Sequence, residues 1–319
     1  LSTEKCLSLT SQKKFVMAVI NSRTREKGKI IIDYDKCIAC GLCVAVCPDK
    51  SLEITDGRLH ESEKAVFGCI GCGHCMTICP HDAIKIEGRE TSGRDLFTLP
   101  PANLFPDYDS LYALLSSRRS IRHFKEKEVE QEKIDKILKV ASTAPMGIPP
   151  SDVQVVVMKG KEKVRAFSED FAAVLRSSRF IYSLLGSRMM KPFVGKEISE
   201  LFSNFLNTLV SSYISNMEKG TNKILYDAPL AISFQTTLYT DPADAYIPAT
   251  YATIAAESLG LGSCMIGGVH PFIKKGAKEF KKKYGILDRF SGGIIVIFGY
   301  PKYKYVRGVR RSFKEVKVI

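Results

Sequence analysis

Hydrophobic patterning divides the 319-residue chain into two dissimilar parts. From about Asp109 onward, apolar residues recur at helical spacing over long stretches, interrupted by short and continuous apolar runs. In "EVEQEKIDKILKVASTAP", Val129, Ile134, Ile137, Leu138 and Ala141 share one helical face, and the pattern stops before Pro145. "LYALLSSRRSIRHF" begins in the same way. From Val194 to Lys219, the residues Ile198, Leu201, Phe202, Phe205, Leu206, Leu209, Tyr213 and Met217 predict a long amphipathic helix ended by Gly220. The small-residue segment Tyr246 to Val269 predicts a buried helix. In "FIKKGAKEFKKKYG", Ile273, Ala277, Phe280 and Tyr284 predict a helix with its lysines largely on the solvent side. "VQVVVM", "LAISFQ" and "GGIIVIFGY" are too short and too branched for helices and read as buried strands. An α+β layer fold follows.

Before residue 90 the apolar positions come in short groups, of which "SLEI" and "AIKI" read as strands, and Asp56-Gly57 between them reads as a hairpin turn. Around these groups the chain repeats itself. Cys37, Cys40, Cys43 and Cys47, then Pro48, form C-x2-C-x2-C-x3-C-P, and Cys69, Cys72, Cys75, Cys79 and Pro80 repeat it 32 residues later. This is the bacterial iron-sulfur spacing, in which three close thiolates hold one [4Fe-4S] cluster while the fourth cysteine serves the other cluster. Ligation is therefore expected to cross, with Cys37, Cys40, Cys43 and Cys79 on one cluster and Cys69, Cys72, Cys75 and Cys47 on the other. All-cysteine zinc sites use two separated C-x2-C pairs instead, and thiols this dense read as metal ligands before they read as disulfides. Cys6 and Cys264 are left over.

Composition places the chain among ordinary globular proteins, at 45% hydrophobic and 25% charged residues. No stretch has the roughly 18 uncharged apolar residues of a membrane span, and "KKFVMAVI" is not followed by a small-residue cleavage site; a cytoplasmic protein without a membrane partner is expected. The net charge of +13 is carried mainly by residues 91–319. Much of that excess lies in the lysine-rich helix, whose pattern is that of a solvated face, so no nucleic-acid partner is expected.

The second part carries its own candidate chemistry. "SRRSIRHF" sets Arg118, Arg119, Ser120 and Arg122 within one turn, a grouping suited to gripping a phosphate. "APMGIPPSD" is an irregular loop between helix and strand, "GLGSCMIGG" exposes backbone N–H groups at its glycines, and the basic tail "YPKYKYVRGVRR" follows the last strand.

Residues 30–90 resemble a two-cluster bacterial-type ferredoxin domain, with all eight cysteine ligands present, and residues 108–319 resemble the nitroreductase family, joined to it by a proline-bearing linker at 91–107. The expected organisation is a cluster domain over 1–90 and a flavin domain over 108–319. The second resemblance implies an α+β sandwich with FMN at a homodimer interface. It implies FMN-phosphate contacts from Arg118 and Ser120, beside Arg119, and a cationic contact from Arg122 near the pyrimidine edge. It implies backbone contacts to the ring from Ile266, Gly267 and Gly268, and a late basic contact from Arg311, with Arg307 as a second phosphate ligand. Relatives carry amides before a Pro-Trp pair where this chain has Ile148, Pro149, Pro150, Ser151 and Asp152, and Ser151 would take the polar role. Cys264, His123 and His270 read as packing or surface residues.

Together the resemblances imply an enzyme in which a one-electron donor such as a ferredoxin or flavodoxin loads two [4Fe-4S] clusters. These then reduce FMN for the two-electron reduction of a nitroaromatic, a quinone or an activated alkene. An electron-transfer module serving a partner protein, or a flavin loaded by NAD(P)H with the clusters as outlet, remains open. Residues 178–219 are the candidate wall of the acceptor pocket.

Overall fold

A computed structural model describes residues 26–148, 151–182, 186, 189, 200–237, 240–273, 277–288 and 290–319. Two compact units result, Leu1–Thr98 with Ile148–Pro150, and Leu99–Gly147 with Ser151–Ile319.

In the first unit, strand β1 (Lys29–Ile32) is followed by helix α1 (Leu42–Ala45), strands β2 (Leu52–Thr55) and β3 (Arg58–Glu61), helix α2 (His74–Ile78) and strand β4 (Ile84–Glu87). β1 pairs antiparallel with β4, and β2 with β3. The 32-residue period seen in the cysteines is also written in the backbone. Positive φ angles fall at the pairs Ala39 and Gly71, Gly41 and Gly73, Lys50 and Asp82, Asp56 and Gly88, and Gly57 and Arg89. Asp56-Gly57 closes a two-residue hairpin with φ of 52° and 74°, the primed geometry that matches strand twist. Leu52, Leu59, Met76, Ile84 and Ile86 form the core together with Cys43, Cys69 and Cys75.

The second unit is a three-layer sandwich. Its elements run α3 (Tyr108–Ser117), α4 (Gln131–Ala141), β5 (Val153–Lys159), α5 (Lys161–Ser177), α6 (Arg179–Tyr182), α7 (Asn207–Glu218, entered through a π-helical turn at Leu201–Leu206), β6 (Leu230–Thr237), α8 (Ala243–Ser258), β7 (Gly262–Ile266), α9 (His270–Ile273), α10 (Lys278–Lys283) and β8 (Phe290–Gly299). The sheet has the order β5-β6-β8-β7 and is antiparallel throughout. Leu230, Ile232 and Phe234 of β6, with Ile294, Val296 and Phe298 of β8, pack on α4 and α8. Ala231, Ile295 and Ile297 face the opposite way, onto α5, α7, α9 and α10. Burial on both faces is why β6 and β8 read as unbroken apolar runs.

Three expectations change, and a fourth lies partly outside the described residues. "VQVVVM" is a strand, but at the sheet edge, with Val155 and Val157 exposed. The helix expected over Tyr246 to Val269 ends at Ser258, and Gly262–Ile266 becomes a strand because its alternate residues fill the place beside β8. The lysine-rich helix is divided into α9 and α10, with Ala277 in a left-handed conformation before α10, and Lys281 is buried. Of the long helix expected from Val194, residues 194–199 lie outside the described residues; the rest is helical to Glu218.

Candidate cofactor sites

The eight cysteines of the repeat fall into two groups. Cys37, Cys40, Cys43 and Cys79 line one hollow, beside Ile54, Leu59 and Ile84. Cys47, Cys69, Cys72 and Cys75 line a second, beside Ile30, Leu52 and Ile86. The fourth cysteine of each run thus stands with the first three of the other run. Short helices α1 and α2 start at Gly41 and Gly73, whose φ angles of 82° and 77° turn the chain sharply around each hollow. At equivalent positions of the repeat, the backbone N–H of Ser51 donates to Cys47 Sγ at 3.2 Å and that of Ala83 to Cys79 Sγ at 3.3 Å.

Burial pushes the thiols of Cys43 and Cys69 up, and that of Cys75 to about 12. Such groups carry thiolate charge once cations bind against them. Among the described residues no three His, Cys, Asp or Glu groups converge closely enough to hold a single metal ion. The sulfurs ring a hollow, the arrangement a four-iron cube requires, and the orphaned hydroxyl of buried Ser51 lines one of the two.

In the second unit, α3 stops at Ser117 and the chain continues extended, with Arg118 at φ −57° and ψ 130°. This segment lies parallel to β7 through the Ser120–Ser263 bridge and a bond from Ile121 N–H to Ser263 O at 2.9 Å. Gly262 permits the approach, since a methyl there would meet Ile121 at 2.5 Å. Extended backbone sends alternate side chains to opposite sides, which divides the arginines that the sequence grouped on one turn. Arg118, Ser120 and Arg122 all act on Cys264, whose thiol burial nevertheless holds up. Arg119 instead donates through Nη1 to the carbonyls of Ser116 (2.7 Å) and Arg118 (2.8 Å). Its Nη2 would lie 2.4 Å from a methyl at Gly308. Arg119 therefore supports the chain after β8 and does not join the other two.

β7 leads from Cys264 through buried Ile266 to Gly267 and Gly268. A methyl on Gly267 would meet nothing within 4 Å, so open space lies over this turn, whereas one on Gly268 would lie 2.6 Å from the Tyr213 hydroxyl. Tyr213, expected only on the apolar face of a helix within the candidate pocket wall, stands beside Tyr226, which the pattern of the sequence did not single out. The Tyr213 phenol is buried, which with the nearby Tyr226 pushes it up to about 12 against the pull of Arg122. The Tyr226 ring lies under the Arg122 guanidinium at 5.8 Å and is held there by positive φ at both Tyr226 and Asp227, 57° and 49°. Asp227 is anchored by Arg165 at 2.9 Å and by Asn222. Two successive left-handed non-glycine residues are a strained arrangement of the sort that concentrates at functional sites. A cavity of about 550 Å³ opens beside Arg122 and Tyr226, with Lys125, Lys161 and Lys302 in its wall.

The Arg118 side chain has neither hydrogen bond nor ion pair among the described residues, and Arg122 reaches only Ser120 O at 3.4 Å and the Tyr226 ring. Cations without acidic partners beside a hydroxyl and an uncovered glycine turn fit a flat molecule bearing a phosphate. Three predicted contacts lie elsewhere in the chain. Ser151 lines a separate hollow with Met146, Phe234 and Asp244, on the α4 and α8 side of the sheet. Arg307 and Arg311 are exposed on the segment after β8, which has no regular secondary structure. Pro149 and Pro150 lie outside the described residues. His123 packs edge-on to Tyr303, and His270 is buried with Nε2 3.2 Å from Ser233 Oγ.

Family models match both parts of the chain. The nitroreductase family matches residues 115–300, more than half of the chain, and a 4Fe-4S dicluster domain matches residues 29–80. The chain belongs to the nitroreductase family, with a 4Fe-4S dicluster domain preceding the family domain. An FMN reductase [NAD(P)H] of Bacillus subtilis (strain 168) is 29% identical over 156 residues, covering 49% of this chain and 53% of the relative. The chain thus spans about half the length of the curated relative it matches. Among solved structures, a nitroreductase with bound FMN from Desulfitobacterium hafniense DCB-2 is 23% identical, covering 65% of this chain and 97% of that one with a TM-score of 0.47. An FMN-dependent nitroreductase from Clostridium difficile R20291 is 21% identical, covering 66% and 100%, with a TM-score of 0.45.

Proposed function

We infer that the protein is an FMN-dependent oxidoreductase with iron-sulfur input, residues 1–90 carrying two [4Fe-4S] clusters and residues 108–319 the flavin. One observation carries the reading: a single chain joins two cysteine-ringed hollows to a nitroreductase-family unit with two arginines that have no acidic partner among the described residues, beside an open glycine turn. When bound, the clusters supply one-electron chemistry and FMN two-electron chemistry.

Within this reading each residue has a definable task. Arg118 and Ser120 hold the phosphate through charge-assisted hydrogen bonds. Arg122, kept in place by Tyr226, sets a positive charge against the ring edge that gains negative charge on reduction. The N–H groups of Gly267 and Gly268 face the ring, with Tyr213 fixing the turn from below. The cavity beside Arg122 and Tyr226 admits a small organic acceptor, a nitroaromatic, quinone or activated alkene. Ser151 lies on the other side of the sheet from Cys264 and Tyr213, so one chain does not bring it to Arg118. A homodimer unites such residues from two copies. The exposed edge of β5 and the uncovered apolar residues Leu111, Tyr112 and Leu115 of α3 support that assembly.

Anaerobic purification with iron, sulfide and flavin counted tests the reading; about eight irons and one FMN per chain are expected. Turnover of a nitroaromatic or quinone with reduced ferredoxin, compared against NADH and NADPH, then identifies the donor. Iron without flavin, or flavin that only a protein acceptor reoxidises, overturns it.

A further inference from the structure

The two halves of the first unit share one cysteine frame and differ at most other positions. Exposed Lys36, paired with Asp33 at 2.8 Å, and exposed His81 line the Cys37 hollow, and two further differences beside the cysteines are buried. The 32-residue period pairs Ser51 with Ala83 and Arg89 with Gly57. Ser51 is 2% exposed and lines the hollow of Cys47, Cys69, Cys72 and Cys75, and its Oγ has no hydrogen-bond partner among the described residues. Ala83, equally buried, lines the other hollow and has no hydroxyl to offer. Arg89 is also buried, and its Nε donates to Ile70 O at 3.0 Å and its Nη1 to Glu26 O at 2.7 Å. This guanidinium therefore grips the loop between Cys69 and Cys72, where Gly57 of the other half meets nothing within 4 Å.

Reduction adds one negative charge to a cluster, and hydrogen bonds to its sulfurs and nearby positive charge stabilise that charge. Asp49 lines the same hollow with the opposite sign, but it is half-exposed and its Oδ2 already accepts the Phe67 N–H at 2.9 Å. Water screens it more than it screens buried Arg89.

We propose that the cluster held by Cys47, Cys69, Cys72 and Cys75 has the higher reduction potential of the two, because the Ser51 hydroxyl donates a hydrogen bond to one of its sulfurs and Arg89 acts in the same sense. The proposal rests on reading the two hollows as [4Fe-4S] sites. Each cluster takes one electron and no covalent bond changes. The first electron to enter the chain rests on the Ser51 side, and the other cluster fills second.

The test is an anaerobic, dye-mediated redox titration of the full holo-chain followed by electron paramagnetic resonance, after iron and sulfide have been counted. Wild type should show two separate one-electron steps. Ser51→Ala should lower the upper step alone, as should Arg89→Gln, while Arg89→Lys should leave it closer to wild type. Ala83→Ser should raise the lower step and narrow the gap, and it decides the matter should Ser51→Ala fail to retain iron. Coincident wild-type steps overturn the proposal, as do a Ser51→Ala change confined to the lower step and an Ala83→Ser protein with neither step moved. Wild-type protein with far fewer than about eight irons defeats the cluster reading itself; full iron with unmoved steps defeats only this proposal.

Discussion

The two units are stabilised by different means. In the first, three of the eight buried core residues among those described are cysteines, and the apolar side chains around them, such as Ile84 and Ile86, also wall the hollows. In the second, a four-stranded sheet is covered on both faces by separate apolar clusters containing none of the repeat's cysteines. A unit this small buries too little apolar surface to be secure alone. The difference fits the proposed function, in which the first unit would fold around its clusters and the second would offer a surface to FMN.

The largest effect should come from taking the iron away. Chelation, or Cys75→Ala, should unfold the first unit while the second stays protected, as followed by hydrogen exchange in the two parts of the chain. Equal protection before and after would erase the contrast. Next, Phe171→Ala, which removes a ring packed against Phe167, Phe272 and Phe280 in the second unit, should cost about 3–5 kcal/mol in denaturant unfolding of that unit. Iron per chain should be unchanged.

A pH series sharpens the contrast further. Burial lowers the pKa of His270 from 6.5 to about 4. Between those values the unfolded chain binds the proton and the folded one does not, so stability is full above pH 6.5 and falls as pH drops toward 4, by about 3 kcal/mol in all. His270→Gln should flatten this slope in the second unit alone. The smallest effect is local: Arg118→Ala with Ser120→Ala should weaken FMN binding about 10- to 100-fold, read by fluorescence titration, with iron content unaffected. Loss of iron instead would break the assignment of separate sites.

The strands β6 and β8 and the helix α4 were legible because burial on a face leaves a run or a 3.6-residue period. β7 was not, because Gly262–Ile266 is short and its strand character comes from pairing with β8, not from composition. At the candidate flavin site the same limit applies. Arg118, Ser120, Arg122 and the glycine turn could be found from residue types in order, whereas Tyr226 carries no signal. Its role depends on a left-handed backbone and on a guanidinium more than a hundred residues away in sequence.

The spacing of the cysteines alone established the two-fold repeat and a crossed grouping, since thiolates four apart around a proline turn cannot all reach one cube. Tertiary structure decided which neighbours each group meets. It turned Arg119 away from Arg118 by making the segment extended, moved Ser151 to the other face of the sheet, and set a buried hydroxyl and a buried guanidinium beside only one of the two cysteine-ringed hollows. A linear sequence records ligand types and spacing; contacts between distant segments arise only when burial and backbone hydrogen bonding bring those segments together.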